Sequence, residues 1–125
     1  MTLSPQWIEW MPSPPLVPDD APLDLAHLER MTLGDASLER EVLAMFAAQS
    51  VDLVRRLSAL SDDAAMLVHT LKGSARAIGA VRVAEAAAGL ETALRRSAPA
   101  GELLATLEAA VTEVRTVIGA RLKRS

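Results

Sequence analysis

Proline is spread so unevenly along this chain that it divides the 125 residues in two. Six of the seven prolines lie within residues 1–22, and beyond them only Pro99 interrupts the sequence. Proline lacks the amide donor of a helical turn and restricts the residue before it, so a stretch such as Met11-Pro12-Ser13-Pro14-Pro15 cannot continue a helix. Residues 1–22 therefore read as an extended, acidic tail, and residues 23–125 as one helical domain. Helix formers dominate the composition, with 23 Ala and 19 Leu against one Phe, two Trp and no Tyr. A β-sandwich or barrel draws on β-branched and aromatic residues, so the expectation is an all-α fold.

Punctuation and periodicity divide the domain further. A short first helix over 23–32 stops near Gly34, and Asp35 or Ser37 caps a second that runs to about Leu60. Its apolar positions Leu38, Val42, Met45, Phe46, Leu53, Leu57 and Leu60 recur at helical spacing. Ser61-Asp62-Asp63 offers a cap and negative charge for a third helix over about 62–78, ended by Gly79. A fourth covers about 81–97, up to the break at Pro99, and a fifth runs from near Ala100 to about Leu122. Four long amphipathic helices with short connections predict an antiparallel up-down four-helix bundle, the short extra N-terminal helix lying across one end.

Several function classes drop out. Without cysteine there are no disulfides, thiolate metal sites or cysteine nucleophiles. No apolar run is long enough for a membrane span, and no secretory signal pattern opens the chain, so a cytoplasmic protein is expected. The net charge of −3 resides in Glu9, Asp19 and Asp20 of the tail, while the rest of the chain balances. A neutral body lacks the basic footprint of a nucleic-acid binder. Trp7-Ile8-Glu9-Trp10-Met11 in the tail reads either as rings folded back onto the domain or as a docking or oligomer contact. The oligomeric state is open.

Chemistry concentrates on the third helix. At about 100° per residue, Ala64, Leu67, Leu71, Ser74, Ala75 and Ile78 form a core stripe, and His69 stands at the centre of the opposite face. Around His69 lie Asp62, Ala65, Met66, Lys72, Gly73 and Arg76. Lys72, one of two lysines against 11 arginines, brings a compact ammonium one turn from the imidazole, which suits a tetrahedral anion. Gly73 costs about 1 kcal/mol relative to Ala inside a helix and lets another protein's surface come close. Met66 provides an apolar rim for docking, and Ser74 points to the core side. His27 reads as an ordinary residue of the first helix. Gly89 reads as a solvent-side tolerance or a second approach surface.

The run His69-Thr70-Leu71-Lys72-Gly73-Ser74-Ala75, followed by Ile78-Gly79, resembles the signature of histidine-containing phosphotransfer domains of two-component phosphorelays. The resemblance spans residues 35–122, and Arg76 is not part of the family pattern. It implies that His69, through Nε2, takes a phosphoryl group from the aspartyl phosphate of a response-regulator receiver domain and passes it to another receiver. Lys72 would neutralise phosphoryl charge, while Met66, Gly73 and Arg76 would dock the partner, a receiver or possibly a hybrid histidine kinase. The chain would hold no metal or cofactor, the magnesium ion belonging to the receiver. Lys72, Arg76, Arg82, Arg95 and Arg96 against Glu85 and Glu91 suggest a positive field that favours an acidic receiver pocket.

Other classes fit less well. A carboxylate-bridged metal bundle needs Glu-x-x-His motifs, and the chain has none. Gly73-Ser74 is not a complete phosphate loop, so ATP-dependent kinase activity is not expected. The serious alternative is a non-phosphorylated helical adaptor that binds a receiver or a kinase.

Overall fold

The computed structural model describes residues 21–59 and 62–124. Residues 1–20, with Trp7 and Trp10, and Leu60, Ser61 and Ser125 lie outside the described residues. Among the described residues the chain forms five helices and no strand: α1 (Leu25–Met31), α2 (Ala36–Ser58), α3 (Ala64–Ile78), α4 (Val81–Arg95) and α5 (Gly101–Arg124). Helices α2 to α5 pack as the expected antiparallel bundle: α3 lies between α2 and α4, and α5 closes the ring between α4 and α2. The short α1 lies against α3. No described helix is long and apolar enough to cross a membrane.

Local chemistry sets each boundary. Asp24 caps α1 by accepting from the His27 amide at 3.1 Å, and Asp35 caps α2 by accepting from the Leu38 amide at 3.0 Å. These bonds satisfy donors that the first turn leaves without a helical partner. Asp63 occupies the N-cap of α3 through its backbone, its carbonyl accepting from Leu67 N at 3.0 Å. At the far end Ala80 N donates to Ala75 O and Gly79 N to Arg76 O, the pairing of a Schellman stop.

Gly79 does more than end α3. Its φ is +86°, a left-handed conformation that side chains disfavour, and its carbonyl accepts from Asp24 N at 2.8 Å and Val81 N at 2.9 Å. A Cβ at this position would stand 2.9 Å from the Asp24 carbonyl oxygen. One residue thus terminates α3, turns the chain into α4 and seats α1. His27 adds a bond from its Nε2 to Ala77 O at 3.0 Å, so it is a clasp between α1 and α3 rather than a bystander.

The core differs from the expected one in two places. On α2 the buried residues are Leu43, Phe46, Ser50, Leu53 and Leu57, spaced alternately by three and four, while Leu38 and Met45 are exposed. Ser50 hides this stripe from a hydropathy reading. It is fully buried because its hydroxyl is satisfied within its own helix, donating to Ala47 O at 3.0 Å. On α3, Val68 is fully buried although it lies outside the expected stripe. Neighbours on two sides, α2 and α4, widen the buried arc of this helix beyond one simple stripe. Ser74 is half-buried on the core side.

Ion pairs tie the helices at their edges. Arg121 forks onto Glu39 with bonds of 2.6 and 3.3 Å, joining α5 to α2. The bond it donates to Glu39 raises the guanidinium pKa above its ordinary value. Arg82 joins α4 to α5 through Glu113 at 2.8 Å. Gly79→Ala combines a disfavoured φ with the approach to Asp24, and urea denaturation should read a loss of about 1–3 kcal/mol. His27 amide protection in hydrogen exchange should fall with it, because α1 loses its seat.

Candidate functional site

α3 turns His69 outward, and α4 meets it with a carboxylate. The buried side of α4 comprises Val83, Ala84, Ala87, Leu90, Glu91 and Ala93, small or apolar residues apart from Glu91. That carboxylate faces α3, where it accepts from Lys72 Nζ at 2.5 Å and contacts His69 Nδ1 at 3.0 Å. The three side chains differ sharply in exposure: His69 is 69% exposed, Lys72 16% and Glu91 11%. The imidazole therefore stands in solvent on top of a largely sunken ion pair.

The protonation pattern follows from this packing. The hydrogen bond from Lys72 and then that from His69 hold the Glu91 carboxyl below its ordinary pKa, against the opposing effect of burial. An ionised carboxylate only accepts hydrogen bonds, so His69 Nδ1 must carry the proton in the 3.0 Å contact. In the neutral ring this leaves the lone pair on Nε2, on the ring edge away from Glu91. The result is an oriented, exposed ring nitrogen with a free lone pair, its tautomer selected by a neighbouring carboxylate.

The residues expected around His69 fall into two groups. Met66 is 67% exposed, Gly73 is exposed with open space where a Cβ would stand, and Arg76 is exposed further along the same face. Arg76 borders a shallow cavity of about 310 Å³ between α1, α3 and α4, which Asp24, His27 and Glu85 also line. Lys72 differs, being sunken and paired rather than standing free beside the imidazole. The expected local excess of positive charge is reduced because Glu113, outside that stretch, binds Arg82, while Glu91, already within it, pairs with Lys72. Arg76, Arg95 and Arg96 remain as exposed cations.

Glu91 is the residue that the sequence reading missed. In the sequence it enters only as one acidic charge, yet it lies four residues beyond Ala87 and next to Leu90, on the stripe that faces the core. A charge on an apolar stripe demands a partner, and that requirement was a readable signal. Gly89 is half-buried on the other side of α4, where a Cβ would meet Leu103 Cδ2 at an ordinary 3.9 Å. Among the described residues no group of three or more His, Cys, Asp or Glu could hold a metal ion.

Comparison with known proteins fits this geometry. A family model described as Hpt domain matches residues 41–117. Among solved structures, the chain is similar to the X-ray structure of a rice protein described as a histidine-containing phosphotransfer protein. The TM-score is 0.74 at 17% sequence identity, covering 83% of this chain and 81% of that one. This similarity is one of fold. No curated protein matches the chain.

A carboxyl whose pKa is lower in the folded than in the unfolded chain adds stability above its unfolded value. That contribution disappears as pH falls through the folded value. Wild type should therefore be more stable than Glu91→Gln at neutral pH. The gap should close as pH falls through and below the ordinary carboxylate range, as thermal unfolding at a series of pH values would read. A gap that stayed constant down to pH 2 would contradict the assignment of the ionised carboxylate.

Proposed function

The chain belongs to the Hpt domain family, whose members have a phosphotransfer role in phosphorelays, and from that premise we propose that His69 is its phosphoacceptor. The observation that carries this reading is the 3.0 Å contact between His69 Nδ1 and Glu91 on an otherwise exposed ring. His69 Nε2 attacks the phosphorus of a receiver's aspartyl phosphate. The P–N bond forms as the P–O bond to the aspartate breaks, and the carboxylate leaves with the electron pair. The proton stays on Nδ1 and the Glu91 carboxylate that accepts from it offsets the positive charge that develops in the ring. Transfer onward to a second receiver runs the same step in reverse.

Phosphoryl transfer needs positioning and charge neutralisation more than covalent assistance. Lys72, one turn from His69, supplies positive charge beside the phosphoryl oxygens while it anchors Glu91. Met66, Gly73 and Arg76 lie on the face that meets the partner. The partners fitting this role are response-regulator receiver domains and histidine kinases of two-component systems. The chain acts as a carrier rather than a kinase, and the magnesium ion of the reaction belongs to the receiver. The adaptor reading shares the docking face but gives no role to the oriented Nε2.

Mixing the protein with receiver domains phosphorylated on aspartate should put acid-labile, base-stable label on wild type and none on His69→Gln. Binding without label, with magnesium present, would favour the adaptor. Gly73→Ala separates docking from folding. It should stabilise the bundle by roughly 0.5–1 kcal/mol, since a methyl there meets no neighbour. Transfer from the receiver should slow by about tenfold or more, because the partner is held off the reacting atoms.

A further inference from the structure

One hollow of the surface opens at the point where the tail joins the domain. Between α1, α3 and α4, Ala75, Gly79, Ala84 and Ala88 floor the cavity of about 310 Å³, and Val81, 39% exposed, edges it. Side chains this small leave an apolar depression between two packed helices. Its volume is that of about ten water molecules, which admits one indole ring.

We propose that this cavity receives the chain's own segment Trp7-Ile8-Glu9-Trp10-Met11, with one indole seated on the alanine floor. The chain enters the described structure at this spot. Ala21 and Pro22 are half-buried, Leu23 is buried, and Asp24 N donates to Gly79 O at 2.8 Å. Asp24 and Gly79 both line the cavity. Ten residues separate Trp10 from Ala21, a span of up to about 35 Å, so the segment reaches the cavity with chain to spare. Within that stretch Pro18-Asp19 favours the turn that brings it back. A tether of this kind holds the segment at an effective concentration on the order of millimolar. A weak contact therefore suffices, and a free partner of the same chemistry competes at a disadvantage.

The rim matches an indole flanked by an acid. An indole has one donor and no acceptor, and Asp24 and Glu85 bring carboxylate oxygens to the opening. Arg76 is exposed and makes no side-chain hydrogen bond or ion pair among the described residues. Its guanidinium is available to lie over the ring face and to pair with Glu9. Residues 1–20 contain no Lys or Arg, so no cation of the tail repels Arg76.

Arg76 also belongs to the face proposed to meet the partner. The docked segment and a receiver therefore compete for it. This competition rests on the proposed function, whereas the docking itself does not.

Trp7 and Trp10 are the only tryptophans of the chain. Intrinsic fluorescence of the full chain therefore reads this segment alone, with circular dichroism as the check on folding. The cavity takes one ring of the two, so roughly half the wild-type emission should resist acrylamide quenching, at every protein concentration. Ala88→Leu, which fills the floor, and Arg76→Glu, on the exposed rim, should both return the emission to that of a free peptide of residues 1–20. Ala109→Leu, in the groove between α4 and α5, should match wild type. Wild-type emission equal to the free peptide's overturns the proposal, as does shelter that persists in both variants. Shelter that grows with protein concentration overturns it too, since a second copy then holds the ring. A tryptophan-free receiver domain that exposes the ring supports the competition, and one that binds but leaves the shelter unchanged overturns the competition alone. A receiver that neither binds nor labels His69 counts against the carrier reading and leaves the docking standing.

Discussion

A carboxylate turned into a helix interface is the constraint around which the rest of this site is arranged. Glu91 lies on the face of α4 that otherwise carries alanine, valine and leucine, and a charge taken out of water there must be compensated. Lys72 compensates it from α3 at 2.5 Å. Replacing such a pair by apolar residues is often harmless, but removing one member leaves a stranded charge, which is far more costly. The pair thus fixes the register of α3 against α4, and with it the level at which His69 emerges. The imidazole uses the remaining capacity of the same carboxylate, so its orientation follows from a contact that packing already demands.

How far all this could be read beforehand depends on which physical signals a linear sequence displays. Helix ends were readable because capping is local: Asp35 and Gly79 act within a few residues of their own position, and both perform the expected role. The outward direction of His69 was readable because angular position within one helix follows from counting. What stayed hidden involved relations between helices. Leu43 and Ser50 belong to the core of α2, but a buried serine satisfied by its own helix looks polar in a hydropathy pattern. Val68 is buried because α4 covers the flank of α3, which counting along α3 cannot reveal. Lys72 looked like a free ammonium since its partner lies 19 residues away on the next helix.

The end of the bundle that holds α1 follows a different economy. There the binding contacts are backbone to backbone, Asp24 N to Gly79 O, reinforced by His27 on Ala77 O. Leu23 and Leu28 supply the apolar part, both buried. Such a junction tolerates change in most side chains but not at Gly79, where the absence of a Cβ is what allows the approach.

The division of labour between Lys72 and His69 also bears on how proteins of this shape diverge. Glu91 remains paired with Lys72 whether or not an imidazole is present above it. The fold therefore places no veto on the identity of residue 69. If His69 is the phosphoacceptor, as proposed, a single codon change at that position would silence phosphoryl transfer and leave the bundle standing. A duplicated copy altered in this way would compete for the same partners as a decoy, so a carrier of this design is one mutation from becoming its own antagonist.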